Sequence, residues 1–292
     1  MSHTGRTYVV TGADGEIGGL TARTLERRGA RVIRCGLGPE VDVSADLRDD
    51  PGRDLLVQEV ARLAPGGIDG LALAAGTRAS TPTTVRVNYF GTLAVLAGLR
   101  TSLRKREAPR AVIITSASSL SAGDPDVIGA CLRGDEDAAV AAAERAVARG
   151  RGAALHRSSQ IALNRWVRQH AAAEDWAGTG VPVNVVAPGI VGTTAEREEM
   201  LADPDRVRLL SVALPQPLGL PGPAQAVADA ISWLIGPENS FMAGQILFVD
   251  GGADAALRSD APYREGVRYG PVALARMLGY SALSMLRSRR RR

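Results

Sequence analysis

The chain has 292 residues, 45% of them hydrophobic, which is enough to bury a substantial core and suits one large α/β domain better than two small ones. Its net charge of +4 is unevenly spread: residues 259–292 hold eight arginines against Asp260 and Glu265, a balance of +6, leaving −2 for the rest. Because the basic character belongs to a tail, and neither a recognition motif nor a pattern of stacking aromatics accompanies it, nucleic-acid binding is not expected. Cys35 and Cys131 are too few and too scattered for a disulfide framework, and His3, His156 and His170 lack ligand spacing, so no structural metal is expected. The opening MSHTGRTYVV passes from a short polar start into an apolar strand, with neither a signal-peptide apolar region nor a run of membrane-spanning length, and a cytoplasmic location is expected. The single lysine, Lys105, among so many arginines reads as the background of a GC-rich genome rather than as arginine chemistry.

Along the chain, short apolar runs alternate with helical patterns. RTYVVTG (6–12) predicts a first strand, and Gly18 to Arg28, with Leu20, Ala22 and Leu25, a helix behind it. ARVIRCG (30–36) and IDGLALAAG (68–76) follow as strands, then a helix over Arg86 to Leu103 with Val87, Phe90, Leu93, Ala94 and Ala97 on one face. After the strand RAVIITSAS (110–118) comes a helical insertion at about 121–151. Its helix 135–149 opens on acidic residues that suit the N-terminal dipole and ends against Gly150. A further helix, LHRSSQIALNRWVR, precedes the strands VPVNVVAPG (181–189) and GQILFVDGG (244–252). Strands without polar alternation are buried on both faces, so the sheet should be parallel and covered by helices: an α/β, Rossmann-type doubly wound fold. The expected organisation is one domain over 1–258 and a C-terminal tail over 259–292. In that tail, PVALARMLGYSALSMLR (271–287) reads as a basic amphipathic helix weakened by Gly279. It could lie on an anionic membrane surface, cover a cleft or pack on another subunit, the last (or a frayed end) being the favoured reading.

Thr11 to Gly18, TGADGEIG, lies between the first strand and the first helix, where such folds bind a phosphate on backbone amides at a helix N-terminus. Its companions are LAAG at 73–76, VNYFG at 87–91, ITSAS at 114–118, APGIVGT at 187–193 and FVDGG at 248–252. In this order the set resembles the short-chain dehydrogenase/reductase family over residues 6–252. The resemblance is greatest to its bacterial hydroxysteroid dehydrogenase/carbonyl reductase branch, because Ser116 and His156 lie 40 residues apart across a helical insertion. It implies NAD(P) across the strand ends, with Gly12, Gly15, Gly18, Asp46, Gly76, Pro188, Gly189 and Thr193 on the cofactor side. It also implies a substrate-orienting serine at Ser116 and an asparagine at Asn88 that supports a proton path, although either could instead serve its local backbone. A hydrophobic small molecule as substrate and a homo-oligomeric assembly are implied as well.

The departures from the family pattern are equally specific. Its catalytic tyrosine and lysine, YxxxK, fall on His156 and Gln160, and no tyrosine lies near that helix. Gln160 brings hydrogen bonds but no charge, whereas His156, four residues earlier on the same helix face, titrates near neutrality and could act as an acid or base without a lysine. A space-filling role for His156 stands as the alternative. In the glycine-rich loop the middle glycine is Glu16, with Gly15 one residue earlier, and that carboxylate together with Asp14 is expected to repel a pyrophosphate. The ribose-binding acid at the end of the second strand is Gly36, and Arg34 could receive a 2′-phosphate or be a plain strand-end residue. NAD(P) binding is accordingly expected to be weakened or lost. The reading placed first is an atypical, non-redox enzyme performing isomerisation, dehydration or cyclisation through Ser116, His156, Asn88 and Gln160. An NAD(P)-dependent oxidoreductase with His156 as proton relay, and a catalytically silent binding protein, stand as alternatives.

Overall fold

The computed structural model describes residues 2–192 and 201–289, with side chains described as far as residue 281. The chain forms β1 (Thr7–Thr11), α1 (Glu16–Arg27), β2 (Arg31–Gly36), the two-residue β3 (Val43–Ser44), α2 (Asp50–Leu63) and β4 (Gly70–Leu73). Then come α3 (Thr92–Gly98), β5 (Arg110–Ile114), α4 (Pro125–Leu132), α5 (Glu136–Ala148), α6 (Ala154–His170) and β6 (Val183–Pro188). The strands β7 (Val191–Gly192) and β8 (Gly222–Pro223) pair with each other, and α7 (Ala224–Ile235) and β9 (Ile246–Val249) complete the core. The main sheet has the order β3-β2-β1-β4-β5-β6-β9 with every pairing parallel. Its chain direction switches between β1 and β4, whose C-terminal ends splay into a crevice where such sheets bind ligands.

The core explains the missing alternation in the strands. Val9, Ile33, Leu71, Leu73 and Ile113 pack toward α2, α3 and α6, while Tyr8, Val10, Ala72 and Val112 pack toward α1 and α7. Each strand is therefore apolar on both faces, as a sheet covered by helices on both sides requires.

The helix expected over 86–103 is not continuous. Arg86–Gly91 forms a π-helical turn before α3, and a short helix, Arg100–Arg104, follows after Leu99. Within the turn, Asn88 gives its amide to the backbone of Thr77: Oδ1 accepts from Thr77 N at 2.8 Å and Nδ2 donates to Thr77 O at 3.0 Å. Apolar spacing does not register such a one-residue widening, which often marks functional positions.

The insertion is built from local signals. Asp124 caps α4 by accepting from Asp126 N and Val127 N, and Asp135 caps α5 by accepting from Ala138 N. The insertion is tied to the body by Arg53 of α2, only 5% exposed, which makes two bonds of 2.8 and 2.9 Å to Glu136 and also donates to the carbonyls of Leu47 and Arg86. The chain divides into two compact units, Met1–Leu257 and Arg258–Arg292. The second holds a helix, α8 (Pro271–Arg289), on which Val272, Leu274, Met277, Leu278 and Tyr280 are exposed. Among the described residues no helix is long and apolar enough to cross a membrane.

Candidate active site and nucleotide cleft

A cleft of about 440 Å³ opens at the C-terminal ends of β1, β2, β3 and β4. Thr11, Gly12, Ala75 and Gly76 form one part of its wall, and Gly36, Leu37, Asp46 and Arg48 another. Thr11 Oγ1 accepts from both Ala74 N and Ala75 N at 3.1 Å, holding the ends of β1 and β4 in register. Gly12 has φ +62°, and a Cβ there would stand 2.8 Å from Ala75 N and Cα, so glycine is required both for the turn and for the approach of the two loops. A Cβ at Gly18 would run into the Gly12 carbonyl oxygen. Gly15 is different: it is the N-cap of α1 in extended conformation, and a Cβ there would touch only Gly12 O at 3.3 Å. No side chain caps α1, which leaves its first-turn N–H groups for an anion.

The expected repulsion from Asp14 and Glu16 is corrected by this geometry. Neither residue is among those lining the cleft wall, although Asp14 reaches its rim beside Gly36 and Leu37. Asp14 turns toward the chain after β2, where Oδ2 accepts from Leu37 N and Gly38 N at 2.8 Å each, and Glu16 Oε1 is withdrawn from solvent. The glycine framework is intact and Asp14 is held on the turn after β2, so the cleft fits a dinucleotide. Of the other cofactor-side residues, Asp46 lines the cleft with its carboxylate held by Arg48 at 2.6 Å, and Gly76 lies beside Asn88. Arg34 makes a two-bond pair with Glu26, at 2.9 and 2.6 Å, and does not line the cleft, so its place as a receiver of a 2′-phosphate is not upheld. Pro188 ends β6, and Gly189 is packed so closely on Asp250 and Gln216 that a Cβ would stand 2.7 Å from Asp250 Cα. Gln216, unremarked in the sequence, staples this loop: its side chain accepts from Ile190 N and donates to the carbonyls of Ile190 and Gly219 at 3.1 Å. Thr193 lies outside the described residues.

At the other end of the site, β5 delivers Ser116 and α6 delivers His156 and Gln160. Ser116 Oγ accepts from Ser118 N and caps the turn Ala117–Leu120. The hydroxyl bonded to the His156 ring is that of Ser118, whose Oγ lies 3.4 Å from Nδ1; spacing alone did not single out Ser118. His156 Nε2 has no partner among the described residues. Burial first, then the charge of Arg78, push the His156 pKa down to about 4, so the imidazole is neutral at neutral pH. Asn88 Nδ2 also donates to Ser159 Oγ at 3.1 Å, and Ser159 is 3.4 Å from Gln160 Nε2. Three buried polar atoms on the elements that carry Ser116 and His156 lack a partner: Thr115 Oγ1, Gln160 Oε1 and Asn164 Oδ1. A buried carbonyl left unpaired costs about 1–3 kcal/mol, a cost that a ligand hydroxyl would remove. Among the described residues no cluster of three or more His, Cys, Asp or Glu could hold a metal ion.

Comparison with known proteins agrees with this geometry. Residues 12–254 match the family described as Enoyl-(Acyl carrier protein) reductase. The chain is similar to the 3-alpha-hydroxysteroid dehydrogenase/carbonyl reductase of Comamonas testosteroni, 32% identical over 86% of this chain and 97% of that protein. It is also similar to the cis-4-hydroxycyclohexanecarboxylate dehydrogenase of Sinomonas cyclohexanicum, 32% identical over 86% and 97%. Among solved structures it resembles the 3-alpha-hydroxysteroid dehydrogenase of Pseudomonas sp. B-0831 complexed with NADH. The TM-score is 0.77 at 36% identity, covering 87% of this chain and 98% of that one. These relatives are dehydrogenases and reductases, one of them solved with NADH, and the expectation of non-redox isomerisation, dehydration or cyclisation is thereby overturned. Glu16 and Gly36, from which weakened binding was expected, leave the cleft formed, because the packing around Asp14 and Gly12 preserves it.

Proposed function

Given that the chain belongs to the short-chain dehydrogenase/reductase family, we propose that it is an NAD(P)-dependent oxidoreductase of a hydrophobic secondary alcohol or ketone in which His156 carries the proton. The observation that carries this reading is the neutral, partly buried imidazole of His156, hydrogen-bonded through Nδ1 to Ser118 and unpartnered at Nε2, standing where the family has its tyrosine. A bound nicotinamide would supply the hydride acceptor or donor, and the residues of this chain manage the oxygen and its proton.

The Ser116 hydroxyl, buried at the end of β5, orients the substrate oxygen by donating to it. His156 Nε2 accepts the proton of an alcohol as its carbon is oxidised. Ser118 Oγ holds the ring by accepting from Nδ1–H, the neutral tautomer that leaves the Nε2 lone pair for the substrate. Gln160 lacks the charge of a lysine, but its unpaired Oε1 can accept from a ribose hydroxyl, and Asn88 and Ser159 fix it from behind.

Purified protein titrated with NADH and NADPH and then assayed with hydrophobic secondary alcohols tests the reading. Binding together with cofactor-dependent turnover that His156→Ala reduces is expected. Failure of both cofactors to bind at millimolar concentration, or turnover indifferent to them, would overturn it.

A further inference from the structure

We infer that the carboxylate which selects the cofactor's adenosine ribose has moved in this chain from the end of β2 to Asp14 in the glycine-rich loop, making the protein selective for NAD over NADP. The inference rests on the cofactor reading above and specifies it. At the end of β2 stands Gly36, which has no side chain to offer a ribose. The space is nonetheless filled by a carboxylate, because a Cβ built on Gly36 would collide with Asp14 Oδ1. The two positions are therefore mutually exclusive: a side chain at 36 and the observed Asp14 conformation cannot coexist.

Asp14 is also fixed where it stands. Its Oδ2 accepts from the consecutive amides of Leu37 and Gly38 at 2.8 Å, which anchors the carboxylate on the very turn that lines the cleft. Its Oδ1 accepts no hydrogen bond from the described residues, so a charged acceptor is left over at the β2 rim. A ribose diol can donate to it, forming a charge-assisted bond, whereas a 2′-phosphate dianion would meet it as a like charge. The cations of this rim are already paired, Arg34 with Glu26 and the cleft-lining Arg48 with Asp46. The same residue that seemed to oppose the pyrophosphate thus serves the ribose, because its side chain points along the β2 end and away from the glycine turn.

Equilibrium binding of NADH and NADPH, measured by fluorescence titration on the full-length wild type, Asp14→Ala, Asp14→Asn and the double variant Asp14→Ala/Gly36→Asp, tests the assignment. The wild type should prefer NADH by about tenfold or more, the two single variants should reduce that ratio by about tenfold, and the double variant should restore it. A merely structural role for Asp14 would weaken both cofactors alike and leave the ratio where it was. An unchanged ratio in both single variants, or a wild type that prefers NADPH, would overturn the inference while leaving the oxidoreductase reading intact. Absence of any binding to the wild type would instead overturn that reading, and the inference with it.

Discussion

In the proposed reaction His156 concentrates the proton chemistry in one side chain. A tyrosine needs a nearby cation to bring its phenol within reach of neutral pH, but an imidazole starts there and is moved the other way by burial, down to about 4. The rate constant kcat/KM for alcohol oxidation should therefore be level through the neutral range and fall only as the pH drops toward about 4, where the base becomes protonated. A profile with its inflection between pH 6 and 8 would assign the proton to another group. His156→Ala should lower kcat by about 10²–10⁴-fold while leaving the dissociation constant of the cofactor nearly unchanged, because His156 is not among the residues that line the nucleotide cleft. Much of this site could be read in the sequence: Asn88, Ser116, His156 and Gln160 fall on the family pattern by spacing alone. Ser118, Gln216 and the direction of the Asp14 side chain could not, since each depends on which residue lies across a turn and not on which residue lies next in the chain.

Elements are joined here by a few buried polar contacts as well as by the core. The insertion of α4 and α5 has its own caps and an alanine stripe, Ala139, Ala142, Ala143 and Ala146, that allows close packing, so its helices were legible locally. What fastens it is Arg53, whose guanidinium meets Glu136 and two backbone carbonyls away from solvent. Removing Arg53 takes two bonds from Glu136, which keeps Arg86 at 3.2 Å, and leaves the carbonyls of Leu47 and Arg86 without its donation, so Arg53→Ala should lower stability by about 1–3 kcal/mol in denaturant titration. A loss below about 0.5 kcal/mol would mean that the pair behaves as a surface ion pair and does not fasten the insertion. The interrupted helix before β5 shows the opposite limit. Its apolar positions recur at helical spacing from Val87 to Ala97, yet the demand of the Thr77 backbone for the Asn88 amide widens one turn, a tertiary contact that periodicity cannot express.

At the scale of the whole molecule, two buried histidines couple folding to pH. Burial lowers the pKa of His3, which lies between Tyr8 OH and Ser232 Oγ, and that of His156. A folded-state value below the unfolded 6.5 means that the unfolded chain binds the proton more readily, so this contribution is complete above about pH 6.5 and is lost as the pH falls toward 4. The melting temperature should drop by a few degrees between pH 7.5 and 5, with on the order of 1–2 kcal/mol lost and His156→Asn losing less. The tail gives a separate expectation: without residues 259–292 the net charge changes from +4 to −2, so the shortened protein should leave a cation exchanger and bind an anion exchanger at pH 7. The sequence by itself determined the order of strands and helices and the doubly wound class. Those follow from local periodicity and from spacing along the chain. Only the tertiary structure decided whether the cleft survives its substitutions. Whether Asp14 opposes a phosphate depends on the direction in which its carboxylate points, and that was set by two amides of the β2 turn and by the room that Gly36 leaves.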